Sequence, residues 1–516
     1  MAENSFNRYE LIRGLGLVAA ISIIIGNVIG TGVFLKARVM TCNVGDPQWV
    51  IIVWIAAGIL SLAGALTYAE LAAMKPEAGG EYVFLRDAYG KVWSFLYGWM
   101  LIFVGKTGAQ ASVAVVFAIG LSDFLGEEYG LKETLVSQNI FGYQYELTSL
   151  QLIAVLMIVI FTAVNCLSVI LGGRLATILT LVKIGLIAFV GIGAFIWVTG
   201  GTFAHFSMLE SGGTCEGVNE TVRYGSASYS FVAGFGAAML GALWGYDGWN
   251  NLTLVAGEIK NPGKNIPIAL IGGTIVIILL YVFVHFAYFF VLDPTAIASV
   301  SKDSSVAKTV VAQFFNSGNA ATFATGFGVS LFTIGLMLSS IGTLHTSILT
   351  GARVPYAMAK DGLMFEKMGR LSETTRVPVY ALIFQGVWAS LLALSGSFDT
   401  LTDYVIFGSW IFYALVTSSV FVFRRKYPNA ERPYKAFGYP VVPILFLIVA
   451  AFLLFNTVQS DYLTAVGKIA EMPDAGILKK IGVIIFSPSI AGIFLILLGL
   501  PVYYYLTTRT REVENE

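Results

Sequence analysis

Ile23–Phe34 reads IIIGNVIGTGVF, with Gly26, Gly30 and Gly32 inside a stretch otherwise as apolar as a membrane span. Glycine is less favourable in a helix than alanine by about 1 kcal/mol. Gly26 to Gly30 also has the G-x-x-x-G spacing by which membrane helices approach closely. Alone, the stretch fits either a packing face or a break. Gly241–Asn251, GALWGYDGWNN, repeats the pattern with Asp247 and Asn250 embedded among glycines. Unpaired backbone in hydrocarbon costs several kcal/mol per group, so a break is tolerated only where protein or a polar cavity covers it. Two matched stretches of this kind favour breaks over packing. No Gly-Lys-Ser/Thr follows either, which excludes a phosphate-binding loop.

Composition agrees with a chain that lives in a bilayer. Of 516 residues, 57% are hydrophobic and 12% charged, and the mean hydropathy is +0.78. Apolar runs of about 20 residues are long enough to cross about 30 Å of hydrocarbon. About twelve occur, at roughly 14–36, 49–74, 92–122, 149–170, 175–199, 229–257, 267–291, 322–350, 378–396, 401–423, 440–458 and 483–506. The expected fold is an all-α polytopic membrane protein forming one transmembrane domain over residues 1–516. With the N-terminus inside, 20 of the 31 lysines and arginines fall in cytoplasmic segments, nine outside, and Lys106 and Lys183 within spans. That excess places both termini in the cytoplasm of a cell-membrane protein. A net charge of zero, with basic residues at span ends, gives no support to nucleic-acid binding.

The two breaks fall in the first and sixth spans. If each half holds five spans, these are corresponding helices, and an odd number per half inverts the second half. Roughly, the repeats are 14–200 and 229–425, with 440–458 and 483–506 as two extra helices. Matched glycine-interrupted spans point to the binding site of a secondary transporter. A half-helix N-terminus offers unpaired N–H groups and a positive dipole end, here at Thr31 and Gly32, to a carboxylate. Lys183, in LTLVKIGLIAF, either replaces a bound cation at carbonyls freed by the first break or snorkels to the inner face. Asp247 either meets an ammonium or a cationic side chain, or accepts from backbone N–H groups. Trp244 either closes over a substrate or packs. Lys106, in FVGKTGAQA, lines the pathway or braces the inner helices.

With these residues, the chain resembles the amino acid–polyamine–organocation (APC) superfamily, and within it the L-type amino acid transporters, light subunits of the heteromeric exchangers. The resemblance lies in GNVIGTGVF, residues 61–90 (SLAGALTYAELAAMKPEAGGEYVFLRDAYG), 243–269 (LWGYDGWNNLTLVAGEIKNPGKNIPIA), 351–362 (GARVPYAMAKDG) and 431–447 (ERPYKAFGYPVVPILFL). It implies an inverted-repeat fold of ten core helices plus two, alternating access, and sodium-independent exchange of neutral, and with Asp247 also cationic, L-amino acids. It places the substrate carboxylate on Gly30, Thr31 and Gly32, and the ammonium on carbonyls near Val28, Trp244 and Gly245. Trp244 aligns with the family's aromatic gate. Lys183 aligns with a lysine that takes the place of sodium, with Thr343 its neighbour. Light subunits carry a cysteine in the loop after the third span. Here that loop, about 123–148, has none, so no disulfide-linked heavy subunit is expected.

Cys42 and Cys215 fall on the same outer side, and both a disulfide and two unpaired thiols fit them. His205, His285 and His345 show no metal-ligand spacing, and no nucleophile–base pair is visible, which argues against an enzyme, a metal or another cofactor. No carbonyl filter motif supports a channel. A proton-coupled symporter and a polyamine or amine carrier of the same fold are the alternatives, Asp247 favouring the latter and the carboxylate site opposing it.

Overall fold

The computed structural model describes residues 10–515 apart from 141–142, 303, 315–320, 396–397, 471, 473–475 and 486; Arg8 of the charge count lies outside these. Helices α1 (Leu17–Val28) and α2 (Gly32–Val44) form a pair bent by about 40° at the first break. Next come α3 (Pro47–Met74), the loop helix α4 (Glu81–Tyr89), and α5 (Lys91–Met100), which runs through one wide turn at Leu101–Gly105 into α6 (Lys106–Leu125). Then follow α7 (Ser149–Leu167), α8 (Val169–Trp197), α9 (Phe231–Tyr246) and a tightly wound segment, Trp249–Glu258. The rest comprises α10 (Pro262–Val291), α11 (Pro294–Ala298), α12 (Val306–Ala312), α13 (Ala321–Gly351), α14 (Arg353–Lys360) and α15 (Val379–Ser395). The chain ends in α16 (Phe398–Lys426), α17 (Val441–Ala470), α18 (Ile477–Ile485), α19 (Pro488–Leu497) and α20 (Gly499–Asn515).

Among the described residues, nine helices are long and apolar enough to cross a bilayer, ten with the bent α1–α2 pair. The twelve expected runs differ from this at two places. α15 is apolar but only 17 residues long, and the run 229–257 is interrupted between α9 and Trp249–Glu258. The protein is an all-α polytopic membrane protein. One addition is a hairpin in the loop after α6, where β1 (Thr134–Ile140) pairs antiparallel with β2 (Tyr143–Thr148). Its alternating Val, Ile, Tyr and Thr residues suit a strand.

Local signals start the helices where they start. Asp46 accepts from the Gln48 N–H (2.7 Å) ahead of Pro47, capping α3. Thr148 and Gln151 form a capping box at α7. α1 packs against α8, α10, α13 and Trp249–Glu258, and α2 lies along α9. The apolar windows of α3 and α5–α6 are 61% and 72% buried, against 22% for α7 and α17, so the latter two form the lipid-facing rim.

Polar bonds pin the two ends of the bundle. Beside the start of α1, Leu15 pairs with Ile259, its N–H donating to Glu258 O (3.0 Å). Arg353 on α14 donates to both oxygens of Glu258 (2.7 and 2.9 Å), both residues fully buried. At the far end of α2, Cys42 and Cys215 form a disulfide.

Candidate substrate site

The first break follows from the glycines. α1 stops at Val28, the Gly30 N–H turns back to Val28 O (2.8 Å), and α2 restarts at Gly32. Packing and breaking are both present, on different residues. A side chain on Gly26 would come within 3.0 Å of Thr180 and 3.2 Å of Thr346, so Gly26 permits close packing inside α1. A Cβ on Gly32 would lie 2.8 Å from the Gly245 Cα, so the two broken helices touch backbone to backbone. The break leaves the N–H groups of Thr31 and Gly32 without a hydrogen-bond partner among the described residues.

The carbonyls that the break releases are occupied by a lysine. Lys183 on α8 is fully buried and does not reach an interface. Its Nζ donates to Gly26 O (2.6 Å), Ile29 O (2.5 Å) and Thr343 Oγ1 (2.6 Å). That uses the three donors of an ammonium. A tethered ammonium thus occupies the space that the break opens between these oxygens. On the other side of the break, the Tyr281 hydroxyl lies 3.0 Å from Val28 O and 2.8 Å from Gly245 O, the carbonyls expected to face a substrate ammonium. Val28 O also accepts from the Gly30 N–H, and the single Tyr281 proton serves one carbonyl at a time, so Gly245 O is the one that keeps an acceptor position in either case.

The second break uses a different device. α9 stops at Tyr246, Asp247 leaves helical geometry (ψ 140°), and Gly248 takes a left-handed φ of 103°. Only glycine adopts that conformation without strain. Trp244, one turn earlier, places its Cδ1 3.4 Å from where a Gly32 Cβ would stand.

A cavity lies between the breaks. From the first it is lined by Asn27, Val28, Gly30 and Gly32, and from the second by Trp244, Asp247, Gly248, Asn250 and Asn251. The wide turn before α6 contributes Leu101 and Gly105, and α6 its first residue, Lys106; α13 contributes Thr343 and Ser347; α16 contributes Ser409 and Tyr413. Of the residues singled out in the sequence, Val28, Gly30, Gly32, Lys106, Trp244, Asp247 and Thr343 line it. Lys183, Thr31 and Gly245 are not among the residues that line it.

A hydrogen-bonded chain that the sequence did not reveal closes one side. Tyr413 donates to Asp247 (2.6 Å) and reaches Asn250 Oδ1 (3.3 Å). Asn250 Nδ2 donates to Glu81 (2.9 Å), which also accepts from Tyr68 (2.9 Å) and Tyr97 (2.5 Å). Burial pushes the Glu81 carboxyl up, while hydrogen bonds from Tyr97, Tyr68 and Asn250 oppose the shift. The histidines are engaged elsewhere: His285 with Tyr281 O, His345 with Gly172 O, and His205 with Phe289 O.

A family model for the amino acid permeases matches residues 15–470. The serine/threonine exchanger SteT of Bacillus subtilis (strain 168) is 30% identical over 97% of this chain and 98% of its own length. The human b(0,+)-type amino acid transporter 1 is 29% identical over 87% of this chain and 84% of its own. The human Large neutral amino acids transporter small subunit 2 is 28% identical over 87% and 77%. With its broken helices meeting around one cavity and a family match that runs through both of them, the chain belongs to the amino acid permease family of the APC superfamily.

Proposed function

We propose that the protein is a secondary-active transporter that exchanges neutral L-amino acids across the cell membrane by alternating access, without sodium. The observation that carries the reading is Lys183 at the first break, where its ammonium already satisfies Gly26 O and Ile29 O. A carrier that held sodium there would need those carbonyls for the ion. The free N–H groups of Thr31 and Gly32 at the positive end of α2 suit the substrate carboxylate, with Gly30 beside them. The remaining acceptor position on Gly245 O, near Trp244 and with Val28 O beside it, suits its ammonium. Trp244 then acts as the gate. Relatives named as exchangers and transporters support transport rather than catalysis.

Three further features belong to the same reading. The two breaks, in the first and sixth spans, support inverted repeats at roughly 14–200 and 229–425. The lysine and arginine excess supports cytoplasmic termini. With Cys42 bonded to Cys215 and Cys166 the remaining thiol, no outer cysteine is left for a disulfide-linked heavy subunit.

The test is uptake of labelled amino acid into proteoliposomes of the purified protein. Uptake is expected only when unlabelled amino acid is inside, and equally in sodium and choline. Strict sodium dependence overturns the role of Lys183. Uptake into empty vesicles driven by a proton gradient supports the symporter instead, and competition by decarboxylated amines supports an amine carrier.

A further inference from the structure

Three charged groups line the cavity, Glu81, Lys106 and Asp247, and the proposed mechanism gives none of them a task. The wide turn at Leu101–Gly105 delivers Lys106 to the cavity, and the Thr107 hydroxyl bonding back to Ile102 O (2.6 Å) fixes that turn. Lys106 is only 6% exposed. Its backbone N–H donates to Leu101 O, but among the described residues its ammonium makes no hydrogen bond and has no carboxylate within 4.0 Å. Its electrostatic partners are Asp247 and Glu81. Glu81 is already engaged by Tyr68, Tyr97 and Asn250. Asp247 is met by the Tyr413 hydroxyl and the Gly248 backbone N–H, about half of the roughly four bonds that a carboxylate accepts.

Lys106 and Asp247 therefore line one cavity as a donor and an acceptor that do not touch. A group bridging them must accept from an ammonium and donate to a carboxylate. A hydroxyl or a primary carboxamide does both. An aliphatic side chain leaves the buried ammonium unpaired, which is penalised. A cationic side chain meets Lys106, and an anionic one meets Asp247. We infer that Lys106 and Asp247 form the side-chain subsite of the cavity and select neutral amino acids with a hydroxyl or carboxamide side chain: serine, threonine, asparagine and glutamine. The inference rests on the reading of the protein as an amino acid exchanger.

Isosteric pairs test it. In proteoliposomes loaded with mixed amino acids, kcat/KM is measured for threonine against valine and for asparagine against leucine. Each polar member is expected to lead by at least about tenfold, because a site built to bond a polar group rejects the analogue lacking it. Lys106→Met keeps the methylene stem and removes the ammonium, and should bring both ratios towards one. Lys106→Arg should preserve them. Ratios near one in the unaltered protein overturn the inference, and so do ratios unchanged in a Lys106→Met protein that elutes as a monodisperse peak. The ratios of the unaltered protein decide the matter even if Lys106→Met does not fold. Absence of exchange with every amino acid would instead overturn the proposed function.

Discussion

Gly30 and Gly32 stand in the same break, yet a methyl group means different things at each. On Gly32 it would lie 2.8 Å from the Gly245 Cα, and backbone cannot yield as a side chain can. Overpacking of this kind costs about 1–3 kcal/mol and would part the two breaks. Gly32→Ala should therefore abolish exchange in proteoliposomes while the protein still inserts and elutes as a folded species. On Gly30 the nearest atom would be Thr343 Oγ1 at 3.4 Å, an ordinary contact, so Gly30→Ala should retain most of the exchange rate. Equal loss in both variants would mean that the break matters only for its flexibility. Lys183→Met poses a different problem. Thr343 Oγ1 also lies 3.2 Å from Gly26 O and 3.3 Å from Ile29 O, but its single proton can satisfy only one of them. Ser339 Oγ lies 3.4 Å from Ile29 O, so two hydroxyls can serve one carbonyl each, and what is lost is the ammonium's hydrogen bonding, about 1.5–3 kcal/mol for a bond to a charged group. The expected results are a lower unfolding temperature in detergent and at least about a tenfold loss of exchange. Lys183 was visible in the sequence because a charge in an apolar run announces itself. Glu81 was not: it sits in a polar loop, PEAGGEY, where a carboxylate is ordinary. Tyr413 reads as one more aromatic in a span. Only the fold brings Glu81 and Asn250 to 2.9 Å.

The broken helices were legible because glycine and embedded polar residues violate the apolar pattern around them. What each break does was less legible. The first releases carbonyls to Lys183, whereas the second turns through a left-handed Gly248 into the tightly wound Trp249–Glu258. The closure that anchors this second half was hidden as well, since neither Glu258 nor Arg353 signals its partner in sequence. Arg353 on α14 meets Glu258 bidentately, both fully buried. Removing one member of such a pair strands the other and costs about 3–5 kcal/mol, while replacing both can be nearly neutral. Glu258→Gln should therefore lower the unfolding temperature of the detergent-solubilised protein sharply. Glu258→Gln combined with Arg353→Met should be less harmful than the two single changes added together. Simple additivity would show that the pair does not hold α14 to the second broken span.

For the whole molecule, the question is what joins the moving parts at the end opposite Leu15. α2 lies along α9, and the chain between α8 and α9 returns to the tip of α2. There the Tyr224 N–H donates to Cys42 O (2.8 Å), Asn43 Nδ2 to Val222 O (3.1 Å) and Arg38 Nη1 to Glu216 O (2.9 Å). Cys42 and Cys215 make this attachment covalent across a sequence separation of 173 residues. α2 and α9, the halves of the two broken spans at this end, are thereby tied into one unit. Closing a long loop in the unfolded chain is worth about 2–4 kcal/mol in the usual case. Denatured without reductant, the protein should expose one thiol to a maleimide label, Cys166, and after reduction all three cysteines. It should also run as a single chain on non-reducing gels. Cys42→Ala with Cys215→Ala should unfold at a lower temperature than the oxidised parent and match the parent after reduction. Three labelled thiols before reduction would remove the covalent tie and leave α2 and the loop joined by hydrogen bonds alone.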